Sequence, residues 1–70
     1  MNKLEIGHLI EERRDKLGLN QGDLAEMTGI TTKTIYLIET GKGNPSIDTL
    51  QKLLTVVGLE MIVQIKKTDE

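Results

Sequence analysis

The sequence predicts a mainly α domain of four short helices followed by a single β-strand. Three observations carry this reading. Apolar residues recur at helical intervals as far as Val57. Each helical run is preceded by a residue that can cap it, and glycines stand where the runs stop. Beyond Gly58 the apolar period shortens from about 3.6 residues to two.

The first helix spans Asn2 to Leu17. Asn2 can cap it and Glu5 stands three residues on, the spacing of a capping box. Ile6, Leu9, Ile10 and Leu17 form its apolar side, while Glu11, Glu12, Arg13, Asp15 and Lys16 form its wet side. Gly18 stops it. Asn20 caps the second helix, with Asp23 in the capping-box position and Leu24, Ala25 and Met27 facing inward, and Gly29 ends it within about two turns. The chain then restarts almost at once: Thr31 caps a third helix over Thr32 to Thr40, with Ile35 and Ile38 buried. Gly41 to Pro45 is turn chemistry. Ser46 caps a fourth helix that runs to about Val57, with a stripe of Ile47, Leu50, Leu53, Leu54 and Val57, and Gly58 stops it.

In the segment after Gly58, Leu59, Met61, Val63 and Ile65 alternate with more polar neighbours, and only Ile62 breaks the pattern. This reads as a strand. A lone strand leaves its backbone groups unpaired, and no second candidate strand exists in the sequence. The expected partner is therefore the same segment of a second copy, antiparallel about a two-fold axis, with Leu59, Met61, Ile62, Val63 and Ile65 forming the contact. A tail that packs on the helices or frays is the alternative. The organisation expected is a helical domain over 1–58, a dimerisation strand over 59–67 and a tail over 68–70.

Composition narrows the function. Seventy residues make one small domain whose core must come from Leu, Ile, Val and Met, since Phe and Trp are absent and Tyr36 is the sole aromatic. Without cysteine, neither a disulfide framework nor a thiolate metal site is available, which suits a reducing compartment. No apolar run has membrane-spanning length, and the N-terminus does not read as a signal peptide. His8 is the only histidine and no nucleophile–base arrangement is present, so catalysis, a metal and a cofactor are not expected. Gly41-x-Gly43 follows a helix, not a strand, and lacks the rest of a nucleotide-binding fingerprint. The net charge of −2 taken alone argues against nucleic acid, but phosphate responds to the local field of one face.

A helix, a tight glycine turn and a second helix make the geometry of a DNA-reading helix-turn-helix. The residues Gly18-Leu19-Asn20-Gln21-Gly22-Asp23-Leu24-Ala25, then Gly29, Ile35, Ile38-Glu39, Gly41-Lys42 and Asn44-Pro45-Ser46, with Leu50 and Leu53-Leu54, resemble the phage Cro/repressor (XRE) helix-turn-helix family over about Ile6 to Gly58. The segment from Gly58 to Lys67 resembles, on fewer residues, HipB-like antitoxins that pair a C-terminal strand across a dimer.

The resemblance implies a four-helix, lambda-repressor-like domain and assigns roles within it. Thr32, Lys33, Tyr36 and Leu37 match groove-facing positions of the recognition helix, where lysine can donate to guanine and threonine can offer a hydroxyl or a methyl to a base. Leu37 departs from the polar residue often found there; the sequence leaves open a thymine-methyl contact or packing against the fourth helix. Gln21, at the start of the bracing helix, matches a phosphate-holding position, with a plain exposed helix-start glutamine as the alternative. Thr31, Thr34, Thr40, Lys42, Asn44 and Ser46 match phosphate contacts and also suit ordinary turn and cap chemistry. Arg14 and Glu39 would form a partly buried ion pair that orients the helices.

The function so implied is a sequence-specific repressor acting as a homodimer on a palindromic operator of double-stranded DNA, with half-sites about 10 base pairs apart. It would be cytoplasmic, with no membrane partner, and encoded by a bacterium or phage. The alternative is an antitoxin that binds a kinase-type toxin and regulates its own operon.

Overall fold

The computed structural model describes residues 1–68. Four helices follow in order: α1 Lys3–Lys16, α2 Gln21–Thr28, α3 Thr32–Glu39 and α4 Ile47–Val56. Each begins on a side chain that satisfies an otherwise unpaired amide. Asn2 accepts from Glu5 N and Asn20 from Asp23 N, and in both places the acid answers by accepting from the cap residue's own backbone N–H. Thr31 and Ser46 accept from Thr34 N and Thr49 N. Such caps each contribute about 1 kcal/mol and fix where the chain changes direction. Gly29, with φ 76°, ends α2 in the left-handed region, so the break to α3 needs only Gly29, Ile30 and Thr31.

Ile10, Leu24, Ile35, Ile38, Leu53, Leu54 and Val57 close the core, with Ile6, Ala25, Ile30, Leu50, Val56 and Leu59 packed around them. Each fully buried aliphatic contributes roughly 1.5–3 kcal/mol. Every helix supplies part of this cluster, so the helices are held by one another more than by their own propensity.

Three residues read as inward-facing lie outside. Ile47 is 67% exposed because it is the first residue of α4 and leans back past the helix end. Leu17 is the C-cap of α1, beyond its last core-facing turn, and Met27 sits on the outer side of α2. Arg13, assigned to the wet side, instead donates from Nε to Val57 O at 2.9 Å, closing the end of α4 on α1.

The strand expected over 59–67 is absent from this chain, and residues 59–68 carry no regular secondary structure. The physical reason is the one that required a partner: a strand is defined by its ladder, and among the described residues no segment pairs with this one. Leu59 still anchors the tail, donating its N–H to Leu54 O at 2.8 Å and packing on the core. Farther out the chain leaves the body, with Val63 95% and Ile65 96% exposed. The tail expected at 68–70 lies outside the described residues from Asp69 onward. No helix among the described residues is long and apolar enough to cross a membrane.

What positions α3 most closely is a glycine. A Cβ added to Gly7, in the middle of α1, would collide with Ile38 O and stand 2.8 Å from Glu39 O. The two helices therefore cross with backbone against backbone, and the obstruction is carbonyl oxygen that cannot rotate away. Gly7→Ala is expected to destabilise the domain by about 2–3 kcal/mol despite alanine's better helix propensity, measured by chemical denaturation.

Candidate nucleic-acid interface

The side of α3 turned away from the core carries Thr32, Lys33 and Tyr36, all exposed, while Ile35, Ile38 and Glu39 are buried behind it. Period decides this division: positions 32 and 36 lie one turn apart on one face, and 35, 38 and 39 on the other. The chain's only tyrosine is half-exposed on a polar face, where core packing gives it no role. Leu37 is half-buried instead. Its Cβ would lie 3.3 Å from a Cβ at Gly43, and its carbonyl accepts from Lys42 N and Gly43 N. It covers the turn between α3 and α4 and stands at the margin of the exposed face.

Behind the face lies a charged junction. Arg14 Nε donates to Glu39 Oε2 at 2.8 Å and Arg14 Nη2 to Glu39 Oε1 at 2.9 Å, a bidentate pair whose side chains are 9% and 2% exposed. Arg14 Nη1 donates to Leu19 O at 2.9 Å and, less closely, to Asp15 at 3.3 Å. Gln21 Nε2 donates to Glu39 Oε1 at 3.0 Å. One carboxylate at the end of α3 thus gathers α1, the loop before α2 and the first residue of α2. Its hydrogen bonds raise the Arg14 pKa above the ordinary guanidinium value, outweighing burial, which favours the neutral form.

The remaining sequence-derived contact residues divide by what their polar atoms already do. Thr31 Oγ1 both accepts from Thr34 N and donates to Thr34 Oγ1, which leaves the Thr34 hydroxyl hydrogen available. Thr40 Oγ1 donates to Tyr36 O and Leu37 O, so its hydrogen is spent within α3. Ser46 Oγ donates to Thr49 Oγ1, and the free hydroxyl hydrogen there passes to Thr49, a residue the sequence did not single out. Lys42 and Asn44 stand exposed in the turn. Gln21 is half-buried and keeps its second amide hydrogen after bonding Glu39.

The acids of α1 gather elsewhere. Glu5, Glu12 and His8 line one shallow depression, and Glu11, Glu12, Asp15 and His8 line another; neither includes a residue of α2 or α3. No group of carboxylate and histidine side chains among the described residues is arranged to hold a metal ion.

Geometry and comparison agree. A helix-turn-helix family model matches residues 10–63. The HTH-type transcriptional regulator PuuR of Escherichia coli (strain K12) is 43% identical over 70 residues, covering 96% of this chain but 38% of that protein. An HTH-type transcriptional regulator of Methanothermobacter thermautotrophicus is 40% identical over 62 residues, 89% of this chain and 90% of the relative. A putative HTH-type transcriptional regulatory protein of Methanococcus vannielii is 35% identical over 63 residues, 90% of this chain and 19% of the relative. The chain thus corresponds to well under half of the PuuR and Methanococcus proteins and to nearly all of the Methanothermobacter one.

The junction behind α3 makes a stability prediction. Arg14→Met or Glu39→Met alone is expected to cost about 3–5 kcal/mol by stranding a buried charge, whereas the double substitution costs much less than the sum. Urea denaturation of the four chains in a double-mutant cycle measures this. With this scaffold, this exposed helix and these relatives, the chain belongs to the XRE-type helix-turn-helix family of DNA-binding transcriptional regulators.

Proposed function

We propose that the protein is a sequence-specific repressor that acts in the cytoplasm as a homodimer on a palindromic operator. One observation carries the reading: a helix locked from behind by a buried ion pair and a backbone crossing holds Thr32, Lys33 and Tyr36 exposed on its outer side. Lys33 suits guanine O6 and N7, Thr32 a base acceptor or a thymine methyl, and Tyr36 a base edge or sugar one turn later. Leu37 meets a thymine methyl at the edge of the same footprint. The phosphates flanking the groove fall to the Gln21 amide at the α2 N-terminus, to the hydroxyl of Thr34 and to Lys42 and Asn44, while Thr31, Thr40 and Ser46 join this rim by turning their hydroxyl hydrogens from internal acceptors to phosphate on binding.

Two copies are needed because one offers few cations. A dimer making about 4–6 charged phosphate contacts has a log–log salt slope near −4 or −5. The tail from Leu59 to Ile65 is the segment proposed to join the copies, since Met61, Val63 and Ile65 are exposed and the tail pairs with no other strand among the described residues.

Binding sites selected from random duplex DNA provide the test. Lys33→Ala and Tyr36→Ala each should cost about 1–3 kcal/mol on the selected site and leave non-selected DNA nearly unaffected, with folding stability within about 0.5 kcal/mol of the parent. Unchanged affinity for the selected site in both variants removes α3 as the reading element. Lys42→Ala should weaken all sequences alike and lower the salt slope by about one charge per subunit, read from titrations at several salt concentrations.

A further inference from the structure

We infer that the tail itself encodes the register in which two copies pair, with Val63 on the two-fold axis and the second copy's tail closing an apolar groove of the first. This rests on the homodimer reading above and specifies its interface. The groove, about 360 Å³, lies between the helical body and the chain's own tail, and Ile6, Leu9, Leu50, Leu54 and Met61 are among its walls. The tail's apolar positions leave the body progressively: Leu59 is half-buried, Met61 is 40% exposed, Val63 95% and Ile65 96%. A partner strand running the opposite way returns its own most exposed residues over the part of this chain that still touches the body.

Charge and parity select among registers. In an antiparallel pair about a two-fold axis, residues opposite one another have a constant sum of numbers. An odd sum sets the apolar positions of the two strands on opposite faces, so only even sums give one apolar side. With Val63 opposite itself, Met61 lies beside the partner's Ile65 and Glu60 beside the partner's Lys66, once at each end. Sliding the strands by one repeat in either direction puts Glu60 against the partner's Gln64 or the partner's Thr68 and loses both ion pairs. The chosen register thus places the partner's Ile65 next to Met61 at the groove wall, which makes the second copy the occupant of that groove.

The chain has no cysteine, so single cysteines report the register directly. Residues directly opposite in an antiparallel pair have Cα atoms about 4.5–5.5 Å apart, within disulfide range. Under mild oxidation Val63→Cys should become a covalent dimer on a non-reducing gel. Met61→Cys and Ile65→Cys should each resist linkage alone and link when mixed. Glu60→Lys and Lys66→Glu each should weaken the dimer roughly tenfold in sedimentation equilibrium, and the double variant should restore it. Linkage of Met61→Cys or Ile65→Cys with itself in preference to Val63→Cys overturns the register, as does failure of the charge swap to restore association. Either result leaves the homodimer standing if the parent chain sediments as a dimer. A parent chain that stays monomeric up to its solubility limit overturns the homodimer and the register together.

Discussion

The outer face of α3 is aimed by the Glu39 carboxylate. It stands at the C-terminal end of its helix, where the macrodipole disfavours negative charge, and it is buried, which disfavours any charge. Both penalties are offset only because Arg14 reaches it from α1 with two hydrogen bonds and Gln21 adds a third from α2. A buried ion pair is a poor source of net stability compared with apolar packing of the same volume. What it does provide is direction, since a bidentate guanidinium fork accepts one geometry where aliphatic side chains accept several. The angle between α2 and α3, and so the presentation of the exposed residues, follows from that geometry.

The same end of α3 is gripped by backbone. Gly7 admits the carbonyls of Ile38 and Glu39 against α1, and Gly41 admits the backbone of Leu4 against the turn that follows. Close approach at these two points holds the last turn of α3 stiffly, and the fully buried Ile35 seats its first turn in the core. A helix anchored along its inner side can carry polar residues along its outer side without loss to the fold. Helix α3 is only eight residues long, too short to be stable alone, and its existence depends on this anchorage.

Local chemistry made most of this legible. Asn2 with Glu5, Asn20 with Asp23, Thr31 and Ser46 all act over three residues, so the helix starts could be read directly, and the burial of Ile35 and Ile38 followed from period alone. The ends and the non-local contacts were harder. Ile47 fits the apolar spacing of α4 yet projects into solvent, because spacing does not say where a helix overhangs its core. Arg13 looks like any charged surface residue, and its bond to Val57 O spans 44 positions. Gly7 did leave a signal, since a glycine inside a helix costs about 1 kcal/mol against alanine and so asks for a reason. Leu37 was left open by the sequence because its packing against Gly43 depends on the path of a turn that composition does not specify. The strand pattern of the tail was real as a pattern, but a ladder needs two segments and the described residues hold one.

The distribution of acid in the first turns explains how a chain of net charge −2 can present a face suited to phosphate. Glu5, Asp23 and Asp48 stand in the first turns of α1, α2 and α4, complementing the positive ends of those helices. Helix α3 alone has none, and it places Lys33 there instead. For an isolated helix that arrangement is unfavourable by about 0.3–1 kcal/mol, because a cation meets the positive end of the dipole. A rule kept in three helices and broken in the fourth marks the place where the sequence answers to something other than its own stability. The unneutralised dipole and the lysine both favour an approaching anion, and Glu39, the one acid within α3, is held inside by Arg14, where its charge is compensated. The ion pair therefore does two things at once: it aims the helix and removes the helix's only negative charge from the surface it aims.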